Sequence, residues 1–289
     1  MYRFIGEADA LIYVGKAVNL RERVLAHFAG ATRDAKSQRL ATQVRRVQWQ
    51  ETAGELGALL LEARLVRELQ PVYNRRLRGR GASWTWAFAD GDSAPRLVDL
   101  DAHPLGAEDA FGLYPSERQA RSALLRLARE ARLCLRVLGL EAGAAGSCFG
   151  YQVGRCAGAC VGAEPLPRHA IRAKLALARL KLRSWPWPGP VGVEERSALG
   201  LQQLHVVDRW QYLGTLTRGG ERALFAPRPG FDADAYRILV RHLQPGARNL
   251  RSLPRGFDPA RLEFDADVPD ATTGFDTAAP CDLAGEFPA

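Results

Sequence analysis

Within the first fourteen residues the apolar side chains recur at every second position twice over, and few patterns restrict a chain so tightly. Tyr2 and Phe4 make one run and Leu11 and Tyr13 the other, with Gly6-Glu7-Ala8-Asp9-Ala10 supplying turn residues between them. Such a pair reads as a two-stranded hairpin. The period then changes: Leu20, Val24 and Phe28 recur every fourth residue behind Asn19, which can cap a helix with Glu22 three residues on. A second helix over 37–45 and a third strand through Val47 and Trp49 come next. The long apolar helix over 56–69 is opened by Thr52 and Glu55 in capping-box spacing and stopped by Pro71. This order predicts a small α+β unit built on a three-stranded antiparallel sheet.

The character changes beyond Gly79-Arg80-Gly81, where a hinge is expected. A helix over 116–134 opens with Ser116 and Gln119 in capping spacing, a cysteine-rich loop follows, and an amphipathic basic helix over 168–183 ends at Trp185-Pro186-Trp187-Pro188-Gly189-Pro190, which reads as a rigid, packed linker. Residues 191–216 are strand-like and 235–243 helical. The predicted organisation is a first domain over 1–80, a helical region with a cysteine cluster over 81–190, a small α/β region over 191–256, and a flexible acidic tail over 257–289.

Charge separates the two ends. Residues 1–80 carry 15 Lys and Arg against 8 Asp and Glu, whereas 257–289 carry one Arg against 8 acidic residues. A basic first domain suits a polyanion, because cationic side chains gain affinity by displacing counterions from phosphates; solubility alone is the other reading. No stretch approaches the roughly 18 apolar residues of a membrane span, and no signal peptide opens the chain, so a cytoplasmic protein is expected.

The residues with chemical potential cluster in the first domain. Tyr13-Val14-Gly15-Lys16 ends the second strand, and its glycine lets the chain turn so that a tyrosine and a lysine face one spot. Arg23 and His27 share one side of the following helix. Glu62 stands among Leu59, Leu60, Leu61, Leu65 and Val66, where a carboxylate is costly unless a cation compensates it. That cation is either Arg64 or Arg67, or a Mg²⁺ or Mn²⁺ ion that leaves most of its coordination to water and phosphate. Asn74 follows the helix, beside Arg75, Arg76, Arg78 and Arg80. Together these are what phosphodiester hydrolysis needs: a metal to polarise the phosphoryl oxygen, a positioned water, and a guanidinium to balance charge.

Two strings, Tyr13-Val14-Gly15-Lys16-Ala17-Val18-Asn19-Leu20-Arg21-Glu22-Arg23 and Ala58-Leu59-Leu60-Leu61-Glu62-Ala63, with Pro71-Val72-Tyr73-Asn74, resemble the GIY-YIG nuclease domain found in the incising component of excinuclease ABC. Trp185-Pro186-Trp187-Pro188 and Gly230-Phe231-Asp232-Ala233-Asp234 extend the likeness to a shorter bacterial homologue over most residues before the tail. The resemblance implies that Tyr2 and Tyr13 are the tyrosines of the two half-motifs, Tyr13 acting as general base or positioning the nucleophile. It gives Glu62 the single divalent ion, Arg23 and Lys16 the phosphate, Asn74 the completion of the pocket, and Arg21 with the arginines after Asn74 the DNA. The substrate would be damaged double-stranded DNA, found by excinuclease ABC subunits A and B and cut once, 3′ of the lesion. His27 stands where the family often has tyrosine. The first half-motif lacks its glycine because Met1 immediately precedes Tyr2, which points to a late start or a fragment, such as the end of a polymerase exonuclease fused to a region of this kind. A non-catalytic DNA-binding module is the third reading.

Cys134, Cys148, Cys156 and Cys160 fall within 27 residues. By their residue type they fit a tetrahedral Zn²⁺, an iron–sulfur cluster, or four free thiols. The family carries a string similar to the one from Cys148 to Cys160, and a [4Fe-4S] cluster is associated with it.

Overall fold

A computed structural model describes residues 1–29, 35–74, 84–102, 109–143, 146–220, 222–224 and 230–254. The first unit runs β1 (Tyr2–Ile5), β2 (Leu11–Gly15), α1 (Leu20–Ala29), α2 (Ala35–Gln43), β3 (Arg46–Trp49) and α3 (Glu55–Leu69), the order expected from the alternating periods. Its antiparallel sheet is ordered β2-β1-β3, so the hairpin strand β1 is central. Tyr2 pairs with Gly15 and Phe4 with Tyr13, which puts the aromatic residues on one face under Leu20 and Val24 of α1 and Leu40 of α2. Val14 turns the other way, onto Leu61, Leu65 and Val66 of α3.

Two local features hold the hairpin. Asn19 accepts from the backbone N–H of Glu22 at 3.1 Å, the cap read from the sequence. Gly15 has no alternative, because a Cβ there would lie 2.7 Å from the Tyr2 hydroxyl.

The opening of α3 differs from the expected capping box. Its N-cap is Gly54 with no side-chain cap, Thr52 donates to the carbonyl of Gly54, and Glu55 turns outward to Lys16. The orphan amides are taken by a distant carboxylate: Leu56 N–H donates to Glu195 Oε1 at 3.0 Å and Gly57 N–H to Glu195 Oε2 at 2.8 Å. A cap of this kind is worth about 1 kcal/mol.

The middle region, expected to be helical, also contains a three-stranded sheet ordered β5-β4-β6, from β4 (Trp84–Phe88), β5 (Arg96–Asp99) and β6 (Asp109–Tyr114). Its strands are short and rich in aromatic residues, and their alternation is masked because both faces of β4 are buried. The sheet packs on α4 (Glu117–Glu130), capped by Ser116 as expected, and α6 (Leu166–Leu177), shorter than the basic helix read from the sequence because a 3₁₀ turn at Ala178–Leu180 follows it. Between them, α5 (Phe149–Gln152) carries the cysteine loop.

The last unit is α+β rather than the expected α/β. Strands β7 (Val191–Arg196), β8 (Gln202–Asp208), β9 (Gln211–Thr217), β10 (Arg222–Leu224) and β11 (Leu250–Ser252) form one antiparallel sheet ordered β10-β9-β8-β7-β11, and α7 (Ala233–His242) lies against it. Trp185 and Trp187 stack edge-on at 4.6 Å and join Trp210 in its core, so the tryptophan–proline segment is packed. Leu56 and Leu60 of α3 belong to this same core. The helix carries apolar residues on two faces because it serves two cores. The acidic tail and the Gly79–Gly81 hinge lie outside the described residues.

Asn74 ties the end of the first unit to β2. Its Oδ1 accepts from Val14 N–H at 2.9 Å and its Nδ2 donates to Val14 C=O at 2.8 Å, and it is 9% exposed. Replacing it with Ala strands two buried backbone groups, each costing about 1–3 kcal/mol. Asn74→Ala is therefore expected to lower unfolding stability by about 2–4 kcal/mol in urea titrations; an unchanged midpoint would show that the clip contributes nothing.

Candidate active site

The aromatic face of the sheet carries a connected group. Tyr2 is buried, and its hydroxyl lies 2.7 Å from His27 Nε2. The Tyr13 ring, half-buried, sits 5.1 Å from the His27 ring and 5.9 Å from that of Tyr2. Phe4 closes the back, edge-on to His27 at 5.2 Å. The spacing follows from the sheet and helix periods: β1–β2 register sets the tyrosines side by side, and α1 drops His27 onto them one turn after Arg23.

Charge and burial act in opposite senses here. Burial, then the neighbouring Tyr13, pushes the Tyr2 phenol up against the opposing pull of Arg23. Burial and Arg23 together hold His27 below the ordinary histidine range. Both groups are therefore neutral at pH 7, and the phenol can donate to an unprotonated Nε2.

Glu62 faces the same region from α3. Burial pushes its carboxyl up, while Lys16, the N-terminal ammonium of Met1 and Arg23 pull it down. Neither arginine expected as its partner serves it: Arg64 pairs with Glu68 at 3.0 Å, and Arg67 with Asp232 at 2.6 Å and Asp234 at 3.1 Å. Among the described residues no ion pair reaches Glu62. A half-buried carboxylate without an ion-pair partner fits a divalent cation that takes its other ligands from water and phosphate.

The structure thus brings Tyr2, Tyr13, His27 and Arg23 together and sets Glu62 and Lys16 beside them. Lys16 also holds Glu55 at 2.8 Å. Arg21 is exposed on the first turn of α1. Asn74, expected to complete the pocket, bonds Val14 of β2 with both ends of its amide. Arg75, Arg76, Arg78 and Arg80 lie outside the described residues. Sequence reasoning missed Glu195 and His205, which brace α3; the closely spaced Gly54 and Gly57 were the available signal.

The cysteines form a second centre. The sulfurs of Cys134, Cys148 and Cys160 lie within 4.8 Å of one another, and Cys156 Sγ is 3.4 Å from Cys148 Sγ. Cys134 and Cys148 are 3.7 Å apart, close to the roughly 3.8 Å expected between thiolates about 2.3 Å from one tetrahedral ion. His169, fully buried, accepts from the N–H of Cys134 at 3.0 Å and fixes that corner.

These features match known proteins in chain order. Residues 1–75 match the UvrC-like GIY-YIG domain, 83–179 the UvrC/Cho excinuclease middle domain, and 190–256 the excinuclease Cho C-terminal domain. Fold and site together define a GIY-YIG excision nuclease. The chain is 39% identical over 259 residues to excinuclease Cho of Salmonella typhi, spanning 88% of this chain and 85% of that protein. It is 38% identical over 263 residues to excinuclease Cho of Escherichia coli strain K12, spanning 90% and 86%. Identity to the UvrABC system protein C of Acinetobacter baylyi is 34% over 168 residues, 56% of this chain and 27% of that protein. The chain belongs to the excinuclease Cho family of DNA-repair nucleases. No helix among the described residues is long and apolar enough to cross a membrane.

The depressed His27 sets a pH dependence. Its folded form binds a proton less readily than its unfolded form, so below about pH 6.5 the unfolded state holds the extra proton. Stability therefore rises with pH through the window under that value and is lost on acidification. His27→Gln should flatten this slope in denaturant midpoints measured across the window; identical wild-type and variant slopes would assign the effect elsewhere.

Proposed function

We propose that this chain is a nucleotide-excision-repair endonuclease that makes a single metal-dependent incision in double-stranded DNA, 3′ of a lesion. The observation that carries the reading is that the tyrosines of both half-motifs meet on one face of the sheet, Tyr2 5.9 Å from Tyr13 and its hydroxyl 2.7 Å from His27 Nε2, with Arg23 one turn before His27 on the same helix. Glu62 would hold a Mg²⁺ or Mn²⁺ ion, and the chemistry supplied there would be Lewis-acid polarisation of the scissile phosphoryl oxygen. The protein's own groups do the rest. Tyr13 positions the attacking water, and Tyr2 orients His27 through their hydrogen bond. Arg23 balances the charge that builds on the pentavalent oxygens, with Lys16 on the phosphate. Arg21 and the arginines after Asn74 hold flanking phosphates. Asn74 acts from behind, by fixing β2.

The 3′ side of the cut and delivery by excinuclease ABC subunits A and B are carried over from the resemblance to the excinuclease family. Action on DNA fits a cytoplasmic protein. The four cysteines hold a soft metal centre, a [4Fe-4S] cluster by that resemblance and Zn²⁺ as the alternative.

Two experiments test this reading. With the damage-recognition subunits and Mn²⁺, the full chain should nick an end-labelled duplex once, 3′ of a bulky adduct, and Glu62→Gln should lower the rate by about a hundredfold or more. DNA binding without a nick would leave the binding module. Anaerobically purified protein should contain iron with acid-labile sulfide, lost in Cys148→Ser; zinc without sulfide would favour the alternative, and neither metal would overturn the assignment.

A further inference from the structure

We propose that Glu195 is a positioning residue for the nuclease site: its carboxylate, braced by His205, sets the rotation and axial position of α3 and so the placement of Glu62. The inference rests on the nuclease reading of that site.

Glu195 stands on β7 of the last unit, 139 positions from Leu56, yet its two oxygens take the first free amides of α3. Burial works to raise its pKa, and hydrogen bonds from His205, Gly57 and Leu56 outweigh that and hold it low, so the cap is charged. A negative group at a helix N-terminus also meets the positive end of the macrodipole. Behind it runs a chain of buried and half-buried side chains. Glu195 Oε2 lies 2.9 Å from His205 Nε2, His205 Nδ1 lies 2.7 Å from Thr215 Oγ1, and Thr215 Oγ1 lies 2.6 Å from Tyr212 Oη. The run links β7, β8 and β9 through side chains alone, so the Glu195 carboxylate is held from behind as well as by the two amides. Gln203 on β8 adds a bond from Ala53 N–H at 2.8 Å.

Two glycines make room for this contact. A Cβ at Gly57 would lie 2.5 Å from His205 Cε1, and one at Gly54 would collide with the Glu195 carboxylate. Neither has a φ in the left-handed region, so the demand is for space alone.

The far end of α3 is tied to the same unit through Arg67 and the aspartates that open α7. Glu62 lies five residues from Gly57 and five from Arg67, midway between the ties. A helix held at one end can roll or slide. Held at both, it presents Glu62 at a fixed height beside Lys16 and Arg23.

The test uses the full chain, nicking damaged duplex under Mn²⁺ titration, with Glu195→Ala, Glu195→Gln and Gly57→Ala assayed well below their melting temperatures. Glu195→Ala is expected to lower kcat about tenfold to a hundredfold and to raise the Mn²⁺ needed for half-maximal rate, with KM for DNA unchanged. Glu195→Gln keeps an acceptor for one amide and should fall between. Gly57→Ala should reproduce the loss with Glu195 still present, and it carries the test with Glu195→Gln if Glu195→Ala does not fold. Lower melting temperatures with wild-type kcat and metal midpoint would overturn the proposal and leave Glu195 a structural cap. A wild-type chain that cuts no more than Glu62→Gln would instead sink the nuclease reading, and this inference with it.

Discussion

The amides that open α3 must find acceptors, and the one that serves two of them comes from the far end of the chain. Much of the architecture follows from that. Because the cap is supplied by β7, α3 must lie against the last sheet; because Val14 packs on Val66, it must also lie against the first. The helix is the shared wall of two cores. Its two apolar faces, Leu56 and Leu60 on one and Leu61, Leu65 and Val66 on the other, are the sequence record of that double duty.

The site itself divides into a quiet half and a charged half. On the aromatic face a buried phenol and a depressed imidazole satisfy each other without net charge. Beside them a carboxylate with no ion pair among the described residues faces a lysine, the N-terminal ammonium and an arginine. Arg23 borders both. A charge that develops on a bound phosphate would thus meet a fixed guanidinium backed by groups that hold no competing charge, an arrangement that needs little reorganisation.

The first unit is legible in the sequence because its signals are local. The hairpin period, the Asn19 cap and the Pro71 stop each act within a few residues, and the elements appear in the order they dictate. What the sequence hides is non-local or masked. Thr52 and Glu55 have capping-box spacing, but Glu55 is drawn to Lys16 and the amides go to Glu195, a competition no window on the chain can display. The β4–β6 sheet escapes a polar–apolar reading because Trp84-Thr85-Trp86-Ala87-Phe88 is buried on both faces, so its alternation is of large against small side chains. Asn74 stands out in the sequence, but its clasp on Val14 is not legible there, since its residue type is equally suited to a pocket and to holding a strand. The convergence of four cysteines is visible in their clustering; which atoms meet is not.

The double duty of α3 also limits how the molecule can be taken apart. A nuclease cut away after Asn74 would carry Leu56 and Leu60 into solvent, leave the Leu56 and Gly57 amides bare, and strand Arg67 without its aspartates. Anyone grafting this nuclease onto a foreign DNA-targeting protein would have to repaint the outer face of one helix with polar side chains and give it a local cap, such as Ser in place of Gly54, which the absence of Glu195 would then leave room for.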